Sequence, residues 1–381
     1  MKILSFQPCS IYVNGGMGRL LRRIYEGHED EITCLSIIQQ AKQKKSGNIN
    51  EVIVTQFPLH RAWMRWKVRN LFIFFREKLF KNFTVWKLIN EARKIEFDVL
   101  HVINHGNLST SFCENSLLKG KKLWTSFHDH FLTTGTSFEN TSLLWCTSDR
   151  RLVISVELGL EYQKLFGIKD FELITDGLRA NEISKPILLK KDEIEIYFAG
   201  LLHLEYYPLF LVLAEALDLL ADQKSITLTL RGTGKLKILE NRKFKINYRR
   251  DFISDAEIKE EMDKADILYL PIKFSVPEFY LFSLSTKMVG YLGAAGNILY
   301  HGPADSAACT LLNKSNAAVM CNSLNKYEMI KSINTLLNND IEIKQNAVKL
   351  ALETFNIDLM QTKFWKTDFK NPEFEMTDYN Y

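Results

Sequence analysis

One acidic residue lies where a loop leads into a helix, an arrangement that can bind a phosphorylated sugar. Glu278 follows a short apolar strand, 266–270, and precedes a helix-like segment, 287–292. The unpaired N–H groups and positive dipole end of a helix start favour phosphate binding. A diphosphate docked there would leave Glu278 facing a neighbouring polyol.

Two further motifs have residue types suited to binding or catalysis. The cluster His128-Asp129-His130 follows an apolar strand. A lone histidine is more often structural, but a cluster at a strand's carboxyl end favours a functional role. Gly15 and Gly16 follow the first strand. A ligand-binding loop and an ordinary flexible turn both fit them, because glycine is the default residue of tight turns.

Length and composition indicate two folded domains. The chain has 381 residues, of which 46% are hydrophobic and 25% charged, and its net charge is +4. One core rarely organises so long a chain. The charge excess is small, and the aromatic residues form no recognisable nucleic-acid-binding strand motif, so we expect no nucleic-acid partner.

The spacing of the cysteines and the lengths of the apolar runs indicate the cellular compartment. Six cysteines without a C-x-x-C pair indicate neither a zinc site nor a disulfide framework, and they fit a reducing cytosol. The N-terminal apolar run is too short for a signal peptide. The longest apolar run, 206–221, is interrupted by Glu215 and Asp218, which argues against a membrane span.

Short strand-like runs alternate with helix-period segments in both halves of the chain. This alternation predicts parallel, doubly wound α/β sheets. We expect two Rossmann-like domains, 1–178 and 193–355, with parallel sheets facing across a cleft. A polar stretch, 179–192, would link them. Ligands of such folds bind outside the carboxyl ends of the strands.

The order of several motifs resembles the GT-B glycosyltransferases, in particular the retaining glycosyltransferase family 4. The matching segments are the loop 277–283, the strand Asp98-Val99-Leu100-His101, the strand end 126–130, Asp176-Gly177, Gly200, the turn 231–234 and the segment 252–258. The resemblance implies a GT-B fold in which segment 356–381 crosses back to the first domain.

The resemblance also implies roles for individual residues. Glu278 would hold sugar hydroxyls, His128 would line the reaction centre, and Asp129 and His130 would bind the acceptor. The expected donor-binding residues are Gly15, Gly16, Arg231, Phe252, Ile253, Phe282, Ser283, Leu284, Ser285, Thr286 and Lys287. No Asp-x-Asp motif is present, and we expect neither a metal nor another cofactor.

The sequence departs from the family pattern at two places. The cations that usually follow the glycine matching Gly200 are missing, and the second glutamate of the Glu-x7-Glu motif is replaced by Thr286. Lys287 would supply positive charge near the phosphates, or it is a solvated surface lysine. Arg231, Arg249 and Arg250 are other possible substitutes.

The segment 60–89 combines basic and aromatic residues. A helix lying in an anionic membrane interface fits this composition, and so does a core helix with a solvated basic face.

Together these observations predict a cytoplasmic transferase, peripheral on the inner face of the plasma membrane. It would move a sugar with retention from a UDP- or GDP-sugar to a glycan or lipid-linked acceptor, in bacterial-type surface polysaccharide or glycoconjugate biosynthesis. A non-catalytic GT-B scaffold that binds a glycan or a partner transferase is the alternative, and a nucleotide-sugar epimerase is a third hypothesis.

Overall fold

The computed structural model describes residues 1–12, 15–40, 47–60, 71–113, 116–186, 193–200, 202, 204–251, 253–338 and 341–366. Contacts divide the chain into two units. The first is Met1–Thr175 with the chain from Leu359 onward, and the second is Asp176–Asp358. Each unit is built on one parallel sheet.

The sheet of the first unit has seven strands in the order β3-β2-β1-β4-β5-β6-β7. The strands are β1 Ile3–Gln7, β2 Ile32–Gln40, β3 Asn50–His60, β4 Val99–Ile103, β5 Lys122–Phe127, β6 Arg150–Val153 and β7 Glu172–Leu173. The helices are α1 Gly16–Tyr25, α2 Lys81–Ala92, α3 Phe131–Thr134, α4 Phe138–Thr147 and α5 Val156–Phe166. Strands β1 and β4 are buried along their whole length, as expected for parallel strands covered on both faces.

The sheet of the second unit has six strands in the order β10-β9-β8-β11-β12-β13. The strands are β8 Glu193–Ala199, β9 Ser225–Arg231, β10 Lys245–Arg249, β11 Ile267–Pro271, β12 Asn297–His301 and β13 Val319–Cys321. The helices are α6 Tyr207–Leu220, α7 Asp255–Asp263, α8 Pro277–Tyr280, α9 Thr286–Gly293, α10 Ala307–Lys314, α11 Lys326–Asn338 and α12 Glu342–Thr354, and α13 Ile357–Trp365 begins in this unit.

The long apolar run near residue 210 forms a core helix. In α6, Phe210, Leu213 and Leu217 are fully buried against the sheet. A helix that is apolar on most of its surface needs such burial. No helix among the described residues combines the length and the apolar character that crossing a membrane requires.

The α/β fold class is confirmed, with all strand pairs parallel in both sheets. Two strands have weak signals in the sequence. In β2, the polar Ser36 interrupts the apolar pattern, and β13 has only three residues. Ser36 is accommodated because its hydroxyl donates to Glu51 on β3 at 2.6 Å.

The described part of the predicted linker packs on the second unit. Residues 180–182 form a short 3-10 helix. The N–H of Ser184 then donates to the carbonyl of Gly293 at 2.8 Å, and its hydroxyl donates to Asp263 at 2.7 Å. The rest of the predicted linker, 187–192, lies outside the described residues.

The C-terminal helix α13 starts in the second unit and continues into the first. Asn356 forms a bridge with Leu178 of the second unit. From Leu359 the helix belongs to the first unit. There Gln361 donates to the carbonyl of Arg23 at 2.7 Å, and Trp365 donates to that of Ile24 at 2.9 Å. Residues 367–381 lie outside the described residues.

Candidate functional site

The second sheet changes direction between β8 and β11. From β8 the chain builds β9 and β10 on one side, and then returns to add β11 to β13 on the other. Open α/β sheets bind ligands at the carboxyl ends of strands at such a switch point. Gly200 directly follows β8, with a φ of 144° that favours glycine. The carboxyl ends of β8 and β11 therefore define the candidate site of this unit.

Glu278 lies on the loop that leaves β11 at this switch point. It is the second residue of the single-turn helix α8, which Pro277 opens. The side chain is partly buried. Its carboxylate forms no hydrogen bond or ion pair with any residue in the described ranges.

Helix α9 begins at Thr286, eight residues after Glu278. Ser285 is its N-cap, and its hydroxyl accepts a hydrogen bond from the N–H of Lys287 at 3.3 Å. A helix start carries amides that no intrahelical carbonyl can accept, together with the positive end of the dipole. The predicted residues Phe282, Leu284 and Thr286 lie partly buried along this approach.

One of the loop residues predicted to bind the donor already uses its N–H group within the protein. The N–H of Ser283 donates to the carbonyl of Phe279 at 3.1 Å. Its use for a ligand would break that bond, so the better placed donors are the amides at the start of α9 that Ser285 does not already accept, those of Thr286 and Met288.

Lys287 is positioned by β8 as well as by its own helix. Its Nζ lies 4.0 Å from the ring centroid of Phe198, and a Cβ on Gly200 would lie 3.0 Å from Nζ. Burial lowers the pKa of Lys287 to about 7. No described residue forms an ion pair or hydrogen bond with this ammonium group. This environment disagrees with the interpretation of Lys287 as a solvated surface lysine.

Helix α9 is also held by hydrogen bonds to neighbouring elements. The hydroxyl of Tyr291, one turn after Lys287, accepts from the N–H of Ala199 at 3.2 Å. At the carboxyl end, the buried ammonium of Lys344 donates to the carbonyl of Leu292 at 2.7 Å. Burial lowers the pKa of Lys344 to about 7.

Arg231 is bound within the protein. It forms a bidentate ion pair with Glu261 and donates to the carbonyl of Asp251 at 2.7 Å. Arg249 also binds Glu261, at 2.5 Å. This ion pair argues against the prediction that Arg231 binds the donor phosphates, because a phosphate would have to compete with the carboxylate of Glu261. Arg250 has its Nη2 3.9 Å from a Cβ placed on Gly234.

The segment after β10 is described only in part. Phe252 lies outside the described residues, as do Leu201 and His203, and Ile253 is partly buried. Ser254 is the N-cap of α7, and it forms a capping box with Glu257.

In the first unit, the glycine loop leads into α1. Gly15 is the N-cap with a φ of 151°, and a Cβ there would meet nothing within 4 Å. Gly16 is the first helical residue. The loop is held by buried Glu51 on β3, which accepts from the hydroxyl of Ser10 at 2.8 Å and the N–H of Ile11 at 2.9 Å.

His128 lies at the carboxyl end of β5, next to the strand β4. Burial, together with the nearby His105, lowers the pKa of His128 to about 4. Its Nδ1 is buried without a hydrogen-bond partner among the described residues. Neutral His128 thus presents a buried ring nitrogen. His105 follows β4, and the sequence analysis did not identify it.

The other members of the cluster are placed differently. His130 is 4% exposed, and its ring centroid lies 4.4 Å from that of Phe131 and 5.9 Å from that of Tyr162. This packing is typical of a core histidine. Asp129 is partly buried, and its carbonyl accepts from the hydroxyl of Tyr162 at 3.4 Å. Their acceptor role remains a prediction.

His101 of the predicted Asp-Val-Leu-His strand belongs to a buried polar network. Its Nδ1 is 2.7 Å from the hydroxyl of Tyr25, and its Nε2 is 2.7 Å from that of Ser126. The Tyr25 hydroxyl also lies 2.8 Å from that of Ser5. Burial lowers the pKa of His101 to about 3, so the network is uncharged at neutral pH.

No protein-family model and no curated protein sequence matches the chain. Solved structures do match it over nearly their whole length. The HepE protein of Anabaena, in complex with UDP and glucose, has a TM-score of 0.65 and 16% identity, covering 96% of this chain and 98% of that one. A trehalose-6-phosphate protein from E. coli, bound with UDP-2-fluoro glucose, has a TM-score of 0.64 and 11% identity, with the same coverage.

A third structure is an α,α-trehalose-phosphate synthase (UDP-forming) from Burkholderia xenovorans, in complex with glucose-6-phosphate. Its TM-score is 0.62 at 12% identity, covering 95% of this chain and 98% of that one. At such identities the similarity shows the fold alone. Together with the two parallel sheets, it shows that this chain has the GT-B fold.

Proposed function

We propose that this protein is a metal-independent, retaining glycosyltransferase that uses a nucleotide-sugar donor. One observation carries the proposal. Lys287 lies in the first turn of α9 and Glu278 on the loop that leads to it, at the switch point of a GT-B sheet, and neither charged group has a partner among the described residues. A diphosphate next to a polyol supplies the partners that these two groups lack.

The proposed reaction replaces one oxygen on the anomeric carbon with another. The bond from that carbon to the diphosphate oxygen breaks, and a bond to an acceptor hydroxyl oxygen forms on the same face. The acceptor's proton passes to the departing phosphate, and a nucleoside diphosphate leaves.

The residues around α9 act on the charges of this transition state. The departing phosphate gains negative charge, which Lys287 and the first amides of α9 stabilise. One well-placed donor of this kind contributes roughly 3 kcal/mol. Glu278 holds hydroxyls of the transferred sugar. His128 is neutral at pH 7 and lines the reaction centre next to the transferred sugar.

Two of the similar structures contain UDP or a UDP-sugar, and this supports a UDP-sugar as the donor. A third contains glucose-6-phosphate. For this chain we propose a glycan or lipid-linked acceptor in bacterial-type surface polysaccharide or glycoconjugate biosynthesis, and a cytoplasmic location.

The test combines donor binding with turnover. A thermal-shift screen of UDP- and GDP-sugars identifies the donor, since a ligand at 100 times its dissociation constant stabilises by about 2.7 kcal/mol. We expect Glu278→Ala to abolish transfer while the protein stays folded. The control Glu353→Ala removes a 64% exposed carboxylate of α12 and should leave turnover unchanged. Full turnover by Glu278→Ala would remove Glu278 from the mechanism.

A non-catalytic GT-B scaffold is the second candidate. Thr286 in place of a glutamate, and the engagement of Arg231 by Glu261, favour it. A scaffold would bind donor sugars or glycans without releasing nucleoside diphosphate, whereas an epimerase would form its product without an acceptor.

We also propose that the first unit binds an anionic membrane surface. In the described part of segment 60–89, seven apolar side chains are at least 38% exposed, namely Leu71, Ile73, Phe74, Leu79, Phe80, Phe83 and Trp86. The buried residues of α2 are instead Thr84, Leu88 and Ala92. The aromatic residues of α2 therefore face outward, which the core-helix interpretation does not explain. Residues 61–70 lie outside the described ranges.

A further inference from the structure

Lys287 is partly buried and held in place by two neighbouring elements. Its Nζ lies over the ring of Phe198 and close to the backbone of Gly200. Its own N–H is tied to Ser285 at the first turn of α9, so its helix position is fixed. An ammonium group at that place adds its charge to the positive end of the helix dipole.

The charged and titratable groups on the neighbouring elements do not neutralise the positive charge of Lys287. On α9, Tyr291 keeps its proton because burial raises its pKa, and its hydroxyl serves Ala199. At the end of β9, Arg231 is bound to Glu261, to which Tyr197 of β8 also donates at 3.0 Å. Glu278 lies on the β11 loop and forms no ion pair with a described residue. In the described residues, nothing neutralises Lys287.

We propose that Lys287 couples binding of the donor diphosphate to the uptake of one proton, so that the donor binds tightly up to neutral pH and progressively less tightly above it. This inference rests on the proposed function. The diphosphate brings the negative charge that the described surroundings of Lys287 lack, and its arrival makes the charged lysine favourable. The proton comes from solvent and is returned when the nucleoside diphosphate leaves.

The pKa of the free site sets the size of the effect. With a pKa of about 7, half of the free sites carry a proton at pH 7. The protonated fraction falls from about one half at pH 7 to about 0.03 at pH 8.5, so the dissociation constant should rise roughly 16-fold between these two pH values. At pH 8, binding should take up about 0.9 proton.

The experiment is calorimetric titration with UDP-glucose between pH 6 and 8.5, since its diphosphate does not titrate in that range. Repeating the pH 8 titration in HEPES and in Tris, which have different ionisation enthalpies, gives the number of protons taken up. Lys287→Arg keeps its charge at every pH, so its affinity should not change across the range. Lys349→Met, which removes a 70% exposed lysine of α12, should reproduce the original pH profile.

The outcomes separate this inference from the proposed function. A pH-dependent affinity with proton uptake, both lost in Lys287→Arg, supports proton coupling through Lys287. Binding with a flat profile overturns the coupling but leaves the proposed function in place. A pH dependence that survives in Lys287→Arg also overturns it, because a histidine would then be responsible. No binding of UDP-glucose or GDP-glucose at any pH overturns both.

Discussion

Lys287 carries a partly buried ammonium group that has no counter-ion among the described residues, and such a group destabilises the fold that contains it. Its pKa of about 7 in the folded protein lies below the ordinary value of 10.5. Between these values the unfolded chain binds more protons than the folded one. The free energy of unfolding therefore rises with pH through this window, and the full penalty is present below pH 7.

We expect Lys287→Met to be more stable than the original protein at pH 7 without ligand. Its stability should also rise less between pH 7 and 10. Lys344 has a pKa shifted in the same direction and leaves a residual rise. Denaturant unfolding at pH 7, 8, 9 and 10 measures both quantities, with Lys349→Met as the exposed control. Parallel curves for Lys287→Met and the original protein would contradict the placement of this ammonium.

Sequence reasoning identified Glu278 and Lys287 because both are close in sequence to the helix that positions them. It could not find the partner of Arg231, since Glu261 is thirty residues away and the two meet only through the packing of α7 on the sheet. Glu51, His105 and Lys344 were missed for the same reason. Of these, Glu51 gives a weak signal in the sequence, because a charged residue inside a buried strand needs a partner.

Among the elements, the turn after β8 shapes the space around Lys287. Gly200 has a φ of 144°, and a Cβ there would lie 3.0 Å from Nζ and 3.1 Å from Cε of Lys287. Gly234 belongs to the next glycine turn, where a Cβ would lie 3.9 Å from its nearest neighbour, Nη2 of Arg250. Gly234 does not have a positive φ, so it controls for the added methyl group and not for the backbone strain at Gly200.

We expect Gly200→Ala to weaken UDP-glucose binding by at least tenfold, because the added methyl group displaces the ammonium and strains the turn. Gly234→Ala should bind normally. Calorimetric titration at pH 6.5 measures both affinities, and far-UV circular dichroism checks that both variants fold. Equal affinities would mean that the Gly200 turn does not shape the donor site.

The glycine loop of the first unit depends on a different element, the strand β3. Glu51 accepts hydrogen bonds from Ser10, Ile11 and Ser36, and Glu51→Ala would leave three buried donors unsatisfied. We expect a loss of roughly 3 kcal/mol of unfolding free energy.

The matched control is Glu91→Ala on α2, which removes a partly exposed carboxylate paired with Lys94. It should change stability by less than about 1 kcal/mol. Urea unfolding compares the two variants. A similar small loss in both would show that the loop does not depend on Glu51.

For the whole molecule, the sequence pattern predicts the architecture better than it predicts the tertiary contacts. The alternation of strands and helices predicted two parallel sheets, because a parallel connection needs a crossover helix. It could not predict that residues 179–186 pack on the second unit, since Ser184 finds its partners at Gly293 and Asp263 through tertiary contacts. Polar composition alone suggested a linker.

The exposed apolar surface of the first unit gives the last prediction. Phe83 and Trp86 stack on α2 with ring centroids 5.9 Å apart, and Lys87 lies 4.6 Å from the Phe83 centroid. Basic groups beside outward-facing aromatic rings suit the headgroup region of an anionic bilayer. We expect the protein to sediment with vesicles containing anionic phosphatidylglycerol at 50 mM salt, and much less at 500 mM, because salt screens the charges.

The aromatic residues should contribute independently of charge. The double variant Phe83→Ser with Trp86→Ser keeps every lysine but should lose most of the sedimentation at 50 mM salt, because the apolar anchors are gone. The control pair, Leu160→Ser with Leu352→Ser, removes leucines that are 43% and 41% exposed elsewhere and should bind as before. If the intact protein stays in the supernatant at 50 mM salt, this surface does not bind membranes. Binding that the double variant retains would instead place the contact elsewhere on the molecule.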